Sequence, residues 1–402
     1  MEKNIFELHT GQLKEISQSF QEKVEAGLSQ KYMEVQCIPT FIRPKTNGIK
    51  GEALVLSLGG TNCRAATVDF NGEKPVIHPE NGFKKDLSIM RTPGFTEKDL
   101  FKEQADLINE IRLDKKMPIG YCFSYPAESM LDGDAKLIRW TKGVDIRKML
   151  NKPVGKPLLE YLNGKNGNNF TYIKVINDTI ASLFSSLTYN DSDAYIGLIV
   201  GTGTNMATFI NANKIKKLDP MLNQRGLIPV NLESGNFLPP HLTSIDNIVD
   251  ALSNSKGAQR FEKAVSGMYL GEILKAAFPM DEFEKKFDTR KLTKIMNYPD
   301  LYKDKYVQVA HWIYQRSAQL VAASLAGLIL VLYSHNNSIG KIRLVAEGSI
   351  FWSTNRNGKS YKSIVMDELR ILLNEFGLND IQVLLDKIDN ANLIGTAIAA
   401  LS

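Results

Sequence analysis

Two glycine turns and one carboxylate are the residues here whose types and spacing suit chemistry. The first turn, Gly59-Gly60-Thr61-Asn62, lies between the apolar run Ala53–Leu58 and the segment Arg64–Phe70. The second, Gly201-Thr202-Gly203-Thr204-Asn205, lies between Tyr195–Val200 and Met206–Ile210. A glycine lets the backbone approach an anion closely and supplies φ > 0 where a turn needs it. Successive N–H groups can then form a nest for phosphate. One such turn is also what an ordinary hairpin looks like. Two matched copies, each with Thr and Asn after a glycine, point toward phosphate. Asp178 follows the apolar run Ile173–Ile176 and precedes a helical pattern. At that strand end a carboxylate can complete a phosphoryl-transfer site, or it can serve as a helix N-cap with help from Thr179.

Other phosphate and metal signatures do not fit. Asn357-Gly358-Lys359-Ser360 contains GKS, but Ser353 stands where a P-loop needs its first glycine. No G-x-G-x-x-G follows a strand pattern, and the protein-kinase motif set is absent. The five histidines are far apart, and Cys37, Cys63 and Cys122 have no C-x-x-C spacing. No direct metal site is expected; a metal ion would arrive with a nucleotide.

Periodicity predicts the elements that must position these groups. Leu13, Ile16, Phe20 and Val24 recur at helical spacing, which predicts an amphipathic N-terminal helix. Cys37–Arg43 reads as an extended link and the polar stretch Lys45–Gly51 as a hinge, with a second hinge at Asn177. Each glycine turn joins two strand patterns into a hairpin. Aligning Gly60-Thr61-Asn62 with Gly203-Thr204-Asn205 puts strand on strand to either side, which indicates an internal duplication. Asp99–Leu113 and Asp246–Leu252 predict helices, Gly120–Pro126 and Tyr172–Ile176 strands, and Asn163–Asn169 a surface loop. Ser317–Ser334 carries no charge but keeps Ser317, Gln319, Ser324 and Ser334, so a buried core helix is expected in place of a membrane span. Alternating strands and helices place the chain in the α/β class.

Composition bounds the rest. With 43% hydrophobic and 23% charged residues over 402 positions, disordered and collagen-like classes are excluded. The length suggests about two or three domains. The net charge of +5 is spread through mixed runs such as Glu284–Lys294, a solvated face and not a nucleic-acid patch. An odd cysteine count suits a reducing compartment, and the first residues show no secretory pattern. A cytoplasmic protein without nucleic-acid or membrane partners is expected, and the sequon Asn177-Asp178-Thr179 is discounted.

From Ile38 onward the chain resembles the hexokinases, within the actin-like ATPase fold. IPTFIR is similar to the family's entry segment, LSLGGTNCR to phosphate loop 1, and FSYP and WTKG to sugar segments. INDT resembles the segment of the catalytic base, VGTGTN phosphate loop 2, and NLESGNF a further sugar segment. SGMYLGE is a family hallmark, AEGS resembles the adenosine segment and GTAIAA the closing helix. The resemblance implies a two-lobed α/β fold, ribonuclease H-like in each lobe, with the active site in the cleft. The small lobe would be residues 46–176 plus 392–402, the large lobe 1–45 plus 177–391. The implied reaction is transfer of the γ-phosphoryl of MgATP to the 6-hydroxyl of glucose or a related hexose, the first step of glycolysis, by a monomer or homodimer. Asp178 would be the general base, and Lys142 would reach the transferring phosphoryl group. Ser124, Thr141, Lys142, Asn177, Asp178, Asn205, Glu233, Gln259 and Glu262 would hold the hexose. Gly59, Gly60, Thr61, Asn62, Arg64, Gly201, Thr202, Gly203 and Thr204 would surround the ATP phosphates. Gly348 and Ser349 would lie under the adenosine, and Mg²⁺ would come with ATP and take no direct protein ligand.

The sequence departs from the family at two acidic positions. Phosphate loop 1 of the family usually reads LDLGGTN, and here Ser57 stands at the acidic position. That carboxylate helps hold Mg²⁺ through water, so an active kinase with a raised Mg²⁺ requirement is expected. Glu347 replaces the usual Asp of the adenosine segment. The chain is also shorter than the usual single-unit hexokinase, mainly after Pro279. The alternative is a hexokinase-like sugar sensor of weakened turnover, which rests on Ser57. An actin-like assembly ATPase is disfavoured by the full set of sugar segments.

Overall fold

In the computed structural model, residues 4–44, 48–60, 62–72, 74–111, 113, 116–141, 143–165, 170–189, 191–219, 226–285 and 287–402 are described. Helix α1 (Thr10–Ser29) buries Leu13, Ile16, Phe20 and Val24, as their spacing predicts. Strand β1 (Ile38–Pro39) follows, then β2 (Glu52–Gly59), β3 (Asn62–Asp69) and β4 (Val76–Asp86). Helix α2 (Glu97–Ile108) leads to β5 (Ile119–Phe123) and to a ribbon of β6 (Ala127–Ser129) and β7 (Ala135–Leu137). Helix α3 (Gly155–Lys165), β8 (Ile173–Ile176) and α4 (Asp178–Ser185) close this half. The second half opens with β9 (Ala194–Val200), β10 (Thr204–Asn211) and β11 (Leu227–Asn231). Helices α5 (Ser244–Leu252), α6 (Arg260–Val265), α7 (Leu270–Ala277), α8 (Thr289–Asn297) and α9 (Asp304–His335) come next. Last are β12 (Lys341–Glu347), α10 (Tyr361–Glu375), β13 (Gln382–Asp386) and α11 (Ala391–Ala400).

The strands form one sheet in the order β4-β3-β2-β5-β8 and another in the order β1-β11-β10-β9-β12-β13. In the first, β2 pairs antiparallel with β3 and parallel with β5. In the second, β9 pairs antiparallel with β10 and parallel with β12. With the edge strand β1 set aside, the two sheets share one strand order and one set of directions. The duplication inferred from two turns therefore extends to a whole five-stranded unit.

The helix after the fifth strand of each unit lies in the layer between the sheets. Helix α11 covers β2 and β5, and α4 covers β9 and β10. Ile180, Leu183 and Phe184 of α4 share one core with Leu393, Ala397 and Ile398 of α11 and with Val55 and Val68 of the first sheet. Gly395 faces the carbonyl of Ala181 so closely that a Cβ would overlap it. The outer face of the five-stranded sheet carries α2 and α3. The outer face of the larger sheet carries α1, α9 and α10. Helix α9 is long and apolar enough to cross a membrane, yet 83% of its most apolar window is buried inside the fold.

Several boundaries differ from expectation. Helix α2 starts at Glu97, capped by a reciprocal Thr96–Asp99 pair, and ends at Ile108 where Asn109 caps it, short of Leu113. Strand β5 stops at Phe123, because Pro126 has no N–H for a ladder. Asn163 to Lys165 form the end of α3 and not a loop; the Asn163 side chain clasps the backbone of Phe170 at 2.9 and 3.1 Å. Residues 166–169, and 45–47 of the expected hinge, lie outside the described residues.

Candidate active site

Asp178 is the first residue of α4, directly after β8. The N-cap is its neighbour Asn177, whose side chain accepts from the Thr179 N–H at 2.9 Å. This corrects the reading of Asp178 as the cap. The same N–H lies 2.9 Å from Asp178 Oδ1, so the carboxylate is steered by Thr179 and remains half-buried at the inner end of the helix.

Groups from both sheets converge on this carboxylate. The Ser182 hydroxyl, one turn along α4, donates to Glu347 at the end of β12. Burial pushes the Glu347 carboxyl up to about 7; the charge of Asp178 pushes the same way, while Ser182 and Arg64 oppose it. Cys122 on β5 is pushed up to about 12, mainly by burial and then by the Asp178 charge, and it hydrogen-bonds Ser57 on β2. Ser57 Oγ also accepts from Asn392 Nδ2 at 3.4 Å. Arg64, the cross-strand partner of Ser57, donates through Nη2 to Asn81 O at 2.8 Å and to Asn390 Oδ1 at 2.5 Å. Its Nη1 reaches Asn392 Oδ1 at 3.5 Å.

The two glycine turns are built differently. In the first, Gly59 pairs with Asn62, and Gly60 takes a φ of +62°. In the second, Val200 pairs with Thr204, so Gly201, Thr202 and Gly203 form the turn and Thr204 and Asn205 already belong to β10. The Gly203 site has no room for a side chain, since a Cβ would stand 2.6 Å from Glu262 Oε2. That oxygen accepts from the Thr204 N–H at 3.0 Å. The turn is braced by Gly267 of the SGMYLGE segment, whose N–H donates to Gly201 O at 2.7 Å. It is also braced by Gly348, at φ +111°, where a Cβ would strike the Val200 carbonyl. Ser349 is exposed beside it.

The residues expected to hold a sugar divide between the sheets. Ser124 sits beside Gly59, with its N–H on the Leu58 carbonyl at 3.0 Å. Tyr125 donates to Gly60 O and packs edge-on against Trp140 at 4.7 Å, which holds Thr141 near the first turn. On the other sheet Asn205 Nδ2 donates to Asn231 Oδ1 at 2.7 Å, and Asn231 Nδ2 donates to Glu233 Oε1 at 2.8 Å. Glu233 adopts a left-handed φ of +54°, as does Gln259 at the start of α6. Asn177, Asn231 and Tyr125 border one small cavity, which brings β11 and the ends of β5 and β8 together. An open cavity of about 480 Å³ lies aside from this chemistry, between residues 90–97 and 143–148.

The structure thus places Asn177 and Asp178 at the start of α4, Ser124 beside the first turn, and Asn205, Glu233 and Glu262 around β10 and the second turn. Lys142 and Thr61 lie outside the described residues. The residue-by-residue reading passed over Asn231, although it opens NLESGNF, and Tyr125, although it lies in FSYP. It also passed over Ser182, Asn390 and Asn392, for which no local motif exists. Among the described residues, no cluster of three or more His, Cys, Asp or Glu is placed to hold a metal ion.

Comparison with known proteins matches this geometry to one family. Family models described as hexokinase match residues 2–188 and 195–280. The chain is 30% identical to hexokinase-2 of Oryza sativa over 353 residues, which covers 84% of this chain and 70% of that protein. It is 29% identical to human hexokinase-1 over 427 residues, covering 90% of this chain but 45% of that longer protein. The structure of the Schistosoma mansoni hexokinase complexed with glucose superposes with a TM-score of 0.79 at 25% identity, over 99% of this chain and 96% of that one. A ROK hexokinase from Thermus thermophilus, at 17% identity and a TM-score of 0.55, covers 87% of this chain and 98% of that one and shares the fold. With its paired five-stranded units of the actin-like ATPase fold, the chain belongs to the hexokinase family of ATP-dependent sugar kinases.

Proposed function

We propose that this chain transfers the γ-phosphoryl of MgATP to the 6-hydroxyl of glucose or a related hexose, with Asp178 as the general base. The observation that carries this reading is the setting of Asp178. The Asp178 carboxylate lies within electrostatic reach of Glu347 at the end of β12 and of Cys122 on β5, so it faces groups of both sheets. A sugar offers many hydroxyls and no charge, so the Asn205–Asn231–Glu233 chain, Ser124 and Asn177 are suitable partners, and Thr141, Lys142, Gln259 and Glu262 would join them. Carboxylates accept hydroxyl hydrogen bonds strongly. Phosphoryl transfer needs positioning and charge stabilisation more than covalent help. Backbone N–H groups at Gly60, Thr61 and Asn62 and at Gly201 to Thr204 would cradle the phosphates, with Gly348 and Ser349 under the nucleoside.

Mg²⁺ enters this scheme as part of the substrate. The groups at the first hairpin are neutral oxygens, the Ser57 hydroxyl and the Asn390 and Asn392 amides. They suit a metal already held by ATP phosphates better than a free ion. Residues 46–176 with 392–402 would close on the remainder when sugar binds, which keeps water from acting as the acceptor. The three cysteines are unbridged and buried, which supports a reducing, cytoplasmic setting.

The test is ADP formation with MgATP and glucose, beside mannose, fructose, N-acetylglucosamine and no sugar, at high Mg²⁺. Hexose-dependent turnover is expected. Glucose binding with no turnover at any Mg²⁺ would establish the second reading, a sugar sensor, which the absence of a carboxylate at Ser57 favours.

A further inference from the structure

Two arginines of this fold are buried and a third, Arg64, is partly buried, and their partners differ in kind. Arg316 on α9 forms a two-pronged ion pair with Asp246 at 2.7 Å on each arm. Arg343 on β12 pairs with Asp386 and, at 2.6 Å, with Asp191. Each of these charges is neutralised by carboxylate contact, and each serves packing. Among the described residues, Arg64 hydrogen-bonds neutral oxygens, the Asn81 carbonyl and the Asn390 and Asn392 side-chain amides, while Glu347 acts on it through space without a hydrogen bond. Its Nε is buried and has no partner among the described residues.

The clamp is assembled from distant parts of the chain. Asn81 and Gly82 take left-handed φ values of +67° and +68° where the β3–β4 register shifts, and this turns the Asn81 carbonyl onto Arg64. Asn390 is left-handed as well, at φ +57°, directly before α11. Its amide donates to Asn81 Oδ1 at 3.0 Å while its oxygen accepts from Arg64. Asparagine tolerates this backbone better than other residues with a side chain. Helix α11 is in turn keyed to α4 by the Gly395–Ala181 contact. One helix layer therefore sets the position of both the cation and the catalytic carboxylate.

An amide oxygen satisfies the direction of a guanidinium N–H without cancelling its charge. A carboxylate in the same place would form the stronger fork and cancel it. We propose that Asn390 and Asn392, with Asn81, are positioning residues that orient Arg64 without a carboxylate hydrogen bond, which leaves its charge available for the nucleotide's phosphates. The inference rests on the kinase reading above and adds to it the residues that orient this arginine.

The test compares two ligands by titration calorimetry: ADP with Mg²⁺, and glucose. Asn390→Asp keeps size and shape but places a carboxylate on Arg64. It is expected to weaken ADP binding by about 10–100-fold, the worth of a charge-assisted hydrogen bond. Glucose affinity and melting temperature should stay at wild-type values. Asn392→Asp is the second variant, in case the first does not fold, and the same selective loss is expected. Asn390→Gly keeps the left-handed backbone, removes the clamp without adding charge, and should weaken ADP binding less than Asn390→Asp. ADP binding by both aspartate variants as tight as wild type would overturn the clamp, as would equal loss of ADP and glucose binding. A wild-type protein that binds neither ligand would overturn the kinase reading itself.

Discussion

At the first hairpin the strands close at the Gly59–Asn62 pair, and the groups around it include Ser57, Arg64 and the amides of Asn390 and Asn392. At the second the turn is Gly201 to Gly203, and the groups around it include the carboxylates of Glu262 and Glu347. The strand order on either side is the same. Topology was kept in both units while the charged groups diverged, with an arginine at the first turn and carboxylates at the second. Construction diverged too. The second turn is wedged between Gly267, Gly348 and Glu262 with no space for added atoms, whereas the first is tied by Tyr125 and by side chains from α11. A tightly packed turn suits a fixed support, and a turn held by long side chains suits a part that moves.

The largest effect expected on this comparison comes from the carboxylate that faces both sheets. Asp178→Ala should lower kcat by about 10²–10⁴-fold, with glucose affinity by calorimetry changed far less. A wild-type kcat in this variant would remove Asp178 as base and leave the two turns without a shared centre.

Next come the glycines. Gly348→Ala must place a Cβ against the Val200 carbonyl, from a φ that L residues rarely take. A loss of roughly 3 kcal/mol is expected in denaturant unfolding, from strain and overpacking together. Gly60→Ala, at a left-handed φ of +62°, should cost only about 1–2 kcal/mol. Equal losses at the two sites would erase the distinction between a wedged turn and a tied one.

The carboxylates at the second turn should also show in stability against pH. Burial pushes the Glu347 carboxyl up to about 7 in the folded chain, against about 4.3 for an exposed glutamate. Between those values the folded state binds more protons than the unfolded one, so this residue's contribution to stability falls as pH rises and levels off above about 7. Glu347→Gln has no such titration. Its melting temperature relative to wild type should rise between about pH 5 and about pH 8, by an amount worth on the order of 2 kcal/mol. A constant offset across that range would show that the carboxyl ionises normally.

The smallest effect tests the missing acid at the first hairpin. Ser57→Asp should lower the Mg²⁺ concentration for half-maximal turnover by about tenfold, the scale of a water-mediated metal partner. An unchanged Mg²⁺ titration would show that the neutral Ser57–Asn392 pair already meets the need.

How much of this could be read from the chain varied with the range of the interaction. Strands β2, β3, β9 and β10 and the position of Asp178 follow from apolar runs and glycine turns, which are local signals. The duplication of whole sheets was hidden because β4 is an exposed edge strand, VIHPENGFKKD, with no clear alternation. Asn177 took the cap that Asp178 was suited to, since either side chain can reach the Thr179 N–H and the backbone geometry decides. The Arg64 clamp was illegible because Asn390 lies 326 residues away and no motif marks a left-handed asparagine.

The placement of Trp140 has an optical consequence. The chain holds three tryptophans. Trp140 sits edge-on to Tyr125, whose hydroxyl rests on Gly60. Trp352 donates to Ala346 O at 2.8 Å, next to Glu347 and Gly348. Trp312 belongs to α9, in the layer outside the larger sheet. In the proposed site one indole would border the sugar and another the nucleoside, with Trp312 in a separate helical layer. Single-tryptophan variants would then time the arrival of each ligand separately.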